Sequence, residues 1–147
     1  MFTHLLVPVD GTELSERAEQ VSLDLARKLG AKVTGFVAEP MPPMPTMAAN
    51  ITAYQRETDA HQARTEAHAH DVLGRFRARA AELGVAFEGK FGRTDSVDDA
   101  IVKAAAEHGC DLIVMVTHGR GAFGELLFGS HTKNVLSRSK VPLLVLH

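Results

Sequence analysis

A three-layer α/β/α sandwich built on a five-stranded parallel sheet is the class this sequence predicts, on three observations. Short apolar runs recur from end to end, HLLVPV, KVTGFV, DLIVMV and VPLLVL among them. Between them lie stretches with apolar residues every three or four positions, and glycines punctuate the junctions. Regular alternation of strand and helix calls for right-handed crossovers between parallel strands. With 147 residues and 45% apolar side chains, a single domain over 1–147 can bury such a core.

Each element has its own signal. Thr3 to Val9 is too short for a helix and reads as a buried strand, with Pro8 near its end and Asp10-Gly11 as the turn. A helix follows from about Thr12 or Ser15 to Leu29, with Leu14, Ala18, Val21, Leu25 and Leu29 as its apolar face and Gly30 as its stop. Lys32 to Val37 is the second strand. The next stretch, EPMPPMPTMAAN, carries four prolines and is predicted as a long loop. From about Tyr54 to Leu83 the spacing predicts a long helix with Ala63, Ala67, Leu73, Phe76, Ala80 and Leu83 as its stripe, ending at Gly84. Val85 to Phe91 alternates as a third strand, placing Val85, Phe87 and Phe91 on one face. Ser96 suits the N-cap of a helix whose inward residues are Val97, Ile101, Ala104 and Ala105; Asp98 and Asp99 favour its positive first turn, and Gly109 closes it. Asp111 to Thr117, Ser130 to Ser139 and Val141 to His147 supply the fourth strand, last helix and fifth strand.

Composition excludes several function classes. The formal charge is -2 and neither Lys nor Arg forms a dense block, so a general nucleic-acid surface is not expected. No apolar run approaches the roughly 20 residues that span a bilayer. Met1 leads almost directly into strand-like sequence, without the pattern of a secretory leader. The single cysteine, Cys110, forms no internal disulfide and reads as a small hydrophobe, in keeping with a reducing, cytoplasmic setting.

The most informative segment is VTHGRGAFGELLFGSHT, from Val116 to Thr132, in which four glycines lead from a strand to a helix opening at Ser130. Glycines allow close approach of backbone to ligand, and the unpaired N–H groups of a first helical turn attract phosphate oxygens. Two standard readings of these glycines fail. Gly119 to Gly124 spells GxGxxG, but no acidic residue stands at the end of the following strand, where SRSKVPLL is found. Gly124 to Ser130 has the outline of a P-loop with Ser130 in place of its lysine. Ligands in such folds lie beyond the carboxyl ends of strands where strand order reverses. Asp10 and His118-Gly119 are at such ends; they meet only if strands one and four are neighbours, which the sequence leaves open.

Other candidates have plainer readings. His61, His68 and His70 do not share one helix face and read as solvated rather than metal-binding. His118 would hydrogen-bond its loop or titrate against a phosphate. Met41, Met44 and Met47 would cover an apolar surface or lie in poorly ordered chain. A phosphorelay receiver is excluded, because Asp10-Gly11, Gly92-Arg93 and His118-Gly119 stand where its acidic cluster, acceptor Asp and Lys belong.

The opening LLVPVDGTELSERA, the segments GAKVTGFVAEP, DLIVMVTHGRG and LLFGS, and the ending KVPLLVLH together resemble the universal stress protein family over nearly the whole chain. Its ATP-binding members carry a glycine, two residues, a second glycine, nine residues, then Gly followed by Ser or Thr. Gly119 matches the second glycine and Gly129-Ser130 the end, while Val116 occupies the first glycine's position.

The resemblance implies a Rossmann-like, adenine nucleotide alpha hydrolase-like fold that binds ATP, or AMP or another adenine nucleotide, with Mg²⁺. It implies Asp10 near the ribose or the Mg²⁺, Pro8 in the wall, and Val37 offering backbone groups to the adenine edge. Gly119, Arg120, Gly121, Gly129, Ser130, His131 and Thr132 would surround the phosphates. Asp10 also fits a turn role, and the glycine loop an ordinary surface loop with a Ser cap. Val116 either narrows the cleft and opposes a glycine-only backbone angle, or simply extends the strand. No catalytic base stands out, so slow hydrolysis is the most that is expected. The expected function is a nucleotide-dependent regulatory binding protein; the alternative is a scaffold acting through interfaces, its cleft closed by Val116. The resemblance also implies a homodimer through the strand 141–147, an apolar strand suited to a sheet edge.

Overall fold

The computed structural model describes residues 1–46, 50–117 and 130–147. The expected site residues Gly119, Arg120, Gly121 and Gly129, together with His118 and Met47, lie outside the described residues. The elements run β1 (His4–Pro8), α1 (Glu13–Leu29), β2 (Lys32–Pro40), α2 (Ile51–Glu82), β3 (Phe87–Thr94), α3 (Val97–Glu107), β4 (Leu112–Val116), α4 (Ser130–Arg138) and β5 (Leu143–Leu146). All five strands are parallel, in the order β3-β2-β1-β4-β5. The chain builds outward from β1 to β3, then crosses back to place β4 on the other side of β1.

Strand alternation divides the core between the two faces. Leu5, Val7, Val33, Val37 and Val114 pack with Leu23, Ala26, Val72 and Phe76 from α1 and α2. Leu6, Phe36, Ile113 and Met115 pack with Ile101, Ala104, Ala105 and Val135 from α3 and α4. Gly35 has no side chain because two rings claim its space: a Cβ there would lie 2.8 Å from both Phe76 and Phe87. Cys110 is buried near Thr34, and burial pushes its thiol pKa up to about 11, which leaves it unreactive.

The helices depart from their predicted faces in instructive ways. Buried in α1 are Ser15, Ala18, Glu19, Ser22, Leu23 and Ala26, whereas Leu14 is exposed and Val21, Leu25 and Leu29 are half-buried. Small and polar residues face inward where α1 lies on β1, β4 and β2, and Arg79 of α2 reaches across to Glu19 at 2.7 Å. Thr12 caps α1, its hydroxyl accepting from the Ser15 N–H at 3.3 Å.

In α2, Ala63 and Ala67 are exposed, and the inward stripe becomes apolar only from Ala69 through Val72, Leu73 and Phe76 to Ala80. The helix begins three residues before Tyr54, because Asn50 accepts from the Thr52 N–H at 2.9 Å and caps it.

The strand limits shift for local reasons. β2 continues beyond Val37 to Pro40, paired with β3 to Thr94; a proline at the last position ends the ladder without interrupting it. Val85 belongs to the turn before β3, its N–H donating to the Ala80 carbonyl at 2.9 Å. Ser96 does precede α3, but its hydroxyl donates to Asp99 and caps no backbone N–H. β5 is an edge strand with all four residues half-buried. Among the described residues no helix is long and apolar enough to cross a membrane.

Candidate functional site

β1 and β4 are neighbours, so the condition for Asp10 to face the end of strand four is met. At their carboxyl ends, where strand order reverses, lies a cleft of about 160 Å³. Its floor is apolar, with Val9, Ala18, Phe36, Ala38, Ile101 and Met115, and its rim carries Asp10, Thr12, Thr117, His131 and Thr132. An apolar slot bordered by a few polar groups suits a planar ring bearing a polar tail.

The first wall is the turn after β1. Asp10 accepts through Oδ1 from the Thr12 N–H at 3.0 Å and the Thr12 hydroxyl at 2.6 Å, and its own N–H donates to the Ser15 hydroxyl at 3.0 Å. One carboxylate oxygen is thus spent on the turn, while Oδ2 has no partner among the described residues. Gly11 makes this turn possible. Its φ is +83°, and a Cβ would lie 2.9 Å from Val72 Cγ2 on α2. His68 of α2 also holds the turn, its Nε2 donating to the Asp10 carbonyl at 3.1 Å.

The second wall is Val116 and Thr117. Val116 pairs with Leu146 as the last residue of β4, and its half-buried side chain packs on the core while lining the cleft. Its φ is not positive, so valine meets no glycine-only angle here. Thr117 is buried and its N–H donates to the Leu146 carbonyl at 2.8 Å.

The third wall is the start of α4. Ser130 opens the helix and is exposed, and His131 and Thr132 of the first turn line the cleft. His131 Nδ1 lies 2.5 Å from Asp98 Oδ1, and Asn134 donates to Asp98 Oδ2 at 2.7 Å. Arg138, one turn on, donates to Asp99, and that bond together with one from Ser96 holds the Asp99 carboxyl below its usual range. The first turn of α3 is therefore stapled to α4.

Of the site residues expected from sequence, Pro8, Asp10, Val116, His131 and Thr132 come together around this cleft, with Ser130 adjacent. Val37 lies between two lining residues, Phe36 and Ala38, with its side chain buried on the α1/α2 face; the role expected of it concerns its backbone groups, which that burial does not bear on. Sequence reasoning missed Leu14, Ile101 and Met115 as lining residues, and the Asp98–His131 pair. The signal for the pair was an acid in the first turn of α3 and a histidine in the first turn of α4, legible only once those helices are known to touch. Among the described residues no cluster of three or more His, Cys, Asp or Glu is placed to hold a metal by itself.

The sequence matches the family model described as "Universal stress protein family" over residues 1–147. The chain belongs to this family. A universal stress protein of Thermus aquaticus is 31% identical over 99% of this chain and 98% of its own length. Among solved structures, UspA of Lactobacillus plantarum superposes with a TM-score of 0.81 at 20% identity, covering 99% of this chain and 98% of that one. A universal stress protein in complex with cAMP gives 0.71 at 24% identity, covering 99% and 97%. More distant family members, at TM-scores of 0.62, were crystallised with dAMP (Archaeoglobus fulgidus, 18% identity, covering 100% and 98%) and AMP (Arabidopsis thaliana, 14%, covering 98% and 90%). The fold of this universal stress protein is thus shared well beyond its sequence similarity.

Proposed function

We propose that this universal stress protein binds an adenine nucleotide in the cleft between β1 and β4, with ATP and Mg²⁺ as its ligand, and serves as a nucleotide-dependent regulatory binding protein of the stress response. The observation that carries the reading is the meeting of the Asp10 turn and the first turn of α4 around one apolar slot at the point where strand order reverses. Adenine nucleotides in relatives of the same fold support the ligand class. The ring lies against Phe36, Ala38 and Met115, and the phosphates approach the N–H groups at the start of α4. Asp10 Oδ2, which has no partner among the described residues, would be the hard oxygen donor that Mg²⁺ accepts alongside phosphate oxygens. β5 pairing with its copy across the open edge makes a homodimer.

Calorimetric titration with Mg-ATP, AMP and cAMP tests the reading. Binding is expected in the micromolar range for wild type, with a loss of about tenfold for Ser130→Ala, one charge-assisted hydrogen bond's worth. Absence of heat at millimolar nucleotide would overturn it. One observation favours a scaffold that binds no nucleotide: Val116 contributes a side chain to the cleft where the ATP-binding pattern has glycine. Val116→Gly separates the two, since on the scaffold reading it alone creates binding.

A further inference from the structure

Asp98 and His131 come from the first turns of different helices and meet at the rim of the cleft. Both Asp98 oxygens are engaged, one by His131 Nδ1 at 2.5 Å and one by the Asn134 amide at 2.7 Å, and the residue is buried. A carboxylate in such a place is costly unless fully hydrogen-bonded, so the bonds fix its orientation. The His131 ring remains 63% exposed and lines the cleft with Asp10, Thr12, Thr117 and Thr132. An imidazole that donates Nδ1–H to a carboxylate carries its lone pair on Nε2, and Nε2 has no partner among the described residues. Capping α4 would require none of this.

We propose that His131, held by the positioning residue Asp98, is the general base of a slow nucleoside-triphosphate hydrolysis in this cleft; the proposal rests on the nucleotide reading and adds a reaction to it. The His131 Nε2 lone pair takes a proton from a water molecule. The water oxygen bonds to the γ-phosphorus, the bond from that phosphorus to the β,γ-bridging oxygen breaks, and its electron pair leaves with the nucleoside diphosphate. The proton then passes from Nε2 to solvent, so water and triphosphate give diphosphate, inorganic phosphate and one proton. Asp98 keeps Nδ1 protonated and stabilises the imidazolium that forms, and Asn134 prevents the carboxylate from turning. A positioned base contributes about 10²–10⁴-fold. Without a Walker lysine to steady the phosphate charge, turnover stays slow.

Phosphate release from Mg-ATP by the full chain is measured beside calorimetric binding of the non-hydrolysable β,γ-imido analogue. His131→Gln is expected to lower kcat by about 100-fold and to keep analogue affinity within about threefold. Asp98→Asn should lower kcat about tenfold or more at similar affinity, because the amide favours the wrong tautomer. The rising acid limb of the wild-type pH–rate profile should vanish in His131→Gln; the other titratable groups at the cleft among the described residues are Asp10 and Asp98. Imidazole added to His131→Ala should restore part of the rate. Analogue binding with no phosphate release, or full activity in His131→Gln, would overturn the general base and leave nucleotide binding standing. No analogue binding at all would overturn both. An Asp98 that serves only the fold would lower the melting temperature of Asp98→Asn and leave its kcat unchanged, which also defeats the proposal.

Discussion

The two ends of the sheet are built on different principles. At the amino end, three helices stop in the same way: Gly30, Gly84 and Gly109 take φ values of +65°, +68° and +64°, after α1, α2 and α3. In each case the next residue's N–H returns to a carbonyl five residues earlier at 2.9 Å, Ala31 to Ala26, Val85 to Ala80 and Cys110 to Ala105. Asp111 then ties β1 to β4, accepting from the Thr3 N–H, the Thr3 hydroxyl and the His4 N–H within 2.9 Å. The carboxyl end is less complete. Glu39 Oε1, Thr58 Oγ1 and Arg93 Nε are buried there without partners, and Ser22 Oγ, inside α1, is the other such atom among the described residues. The amino end closes the fold, while the carboxyl end carries the cleft and, among the described residues, three of the four buried polar atoms left unpaired.

The largest expected effect comes from moving one substitution between the two ends. Gly30→Ala meets nothing within 4 Å and pays only for its left-handed backbone, about 1 kcal/mol. Gly11→Ala carries that same strain and drives a methyl group to within 2.9 Å of Val72 Cγ2, so a loss of about 2–4 kcal/mol is expected. Urea denaturation of both variants checks the order. Equal losses would mean that the Asp10 turn moves freely off α2, and that the carboxyl end is softer than its packing indicates.

A smaller effect lets pH probe the amino end. His4, whose Nε2 lies 2.7 Å from the Thr34 hydroxyl at the amino end, has its pKa lowered from 6.5, first by burial and then by Lys32. As pH falls through about 6.5 the unfolded chain takes up a proton that the folded one resists, so stability declines on acidification and levels off below the folded pKa. Asp111 acts in another window. Its own desolvation opposes the shift, but the bonds from His4 and Thr3 keep its pKa below 3.8, so the stability it contributes is present above about pH 3.8 and is lost as pH falls below it. Subtracting the urea midpoints of His4→Gln from those of wild type, at pH 8 and pH 5.5, isolates the first term. An identical pH dependence in the two proteins would show that His4 titrates normally in the fold.

The same division explains what could be read in the sequence. Gly30, Gly84 and Gly109 were legible because a helix stop is written within a few residues. So was the Asp10-Gly11 turn. The stripe of α1 was drawn through Leu14 and Val21, since periodicity registers hydrophobicity and not the close approach to the sheet that selects Ala18, Ser22 and Ala26. Ala63 and Ala67 misled for the converse reason: that half of α2 extends past the apolar core, and the helix turns Tyr54, Thr58, His61 and Thr65 inward instead. Asp98 and His131 are 33 residues apart, and only the packing of α3 on α4 brings them together. Local closures are local information, whereas the candidate site is assembled by tertiary contact.

The finest test concerns Glu39, at the end of β2. Its side chain is buried and, among the described residues, Oε1 finds only His68 Nε2, at 3.9 Å, while that nitrogen is already spent on the Asp10 carbonyl. Hydrogen-bonding His68 to both would require it to leave the turn, so the cleft's first wall is kept at the expense of a satisfied carboxylate. Glu39→Gln retains the shape and lowers the desolvation penalty of the orphaned oxygen, so a gain of about 0.5–1 kcal/mol is expected. The urea midpoint should rise with nucleotide affinity unchanged. A fall would mean that Glu39 already holds His68 electrostatically, and that the carboxyl end is as fully paired as the amino end.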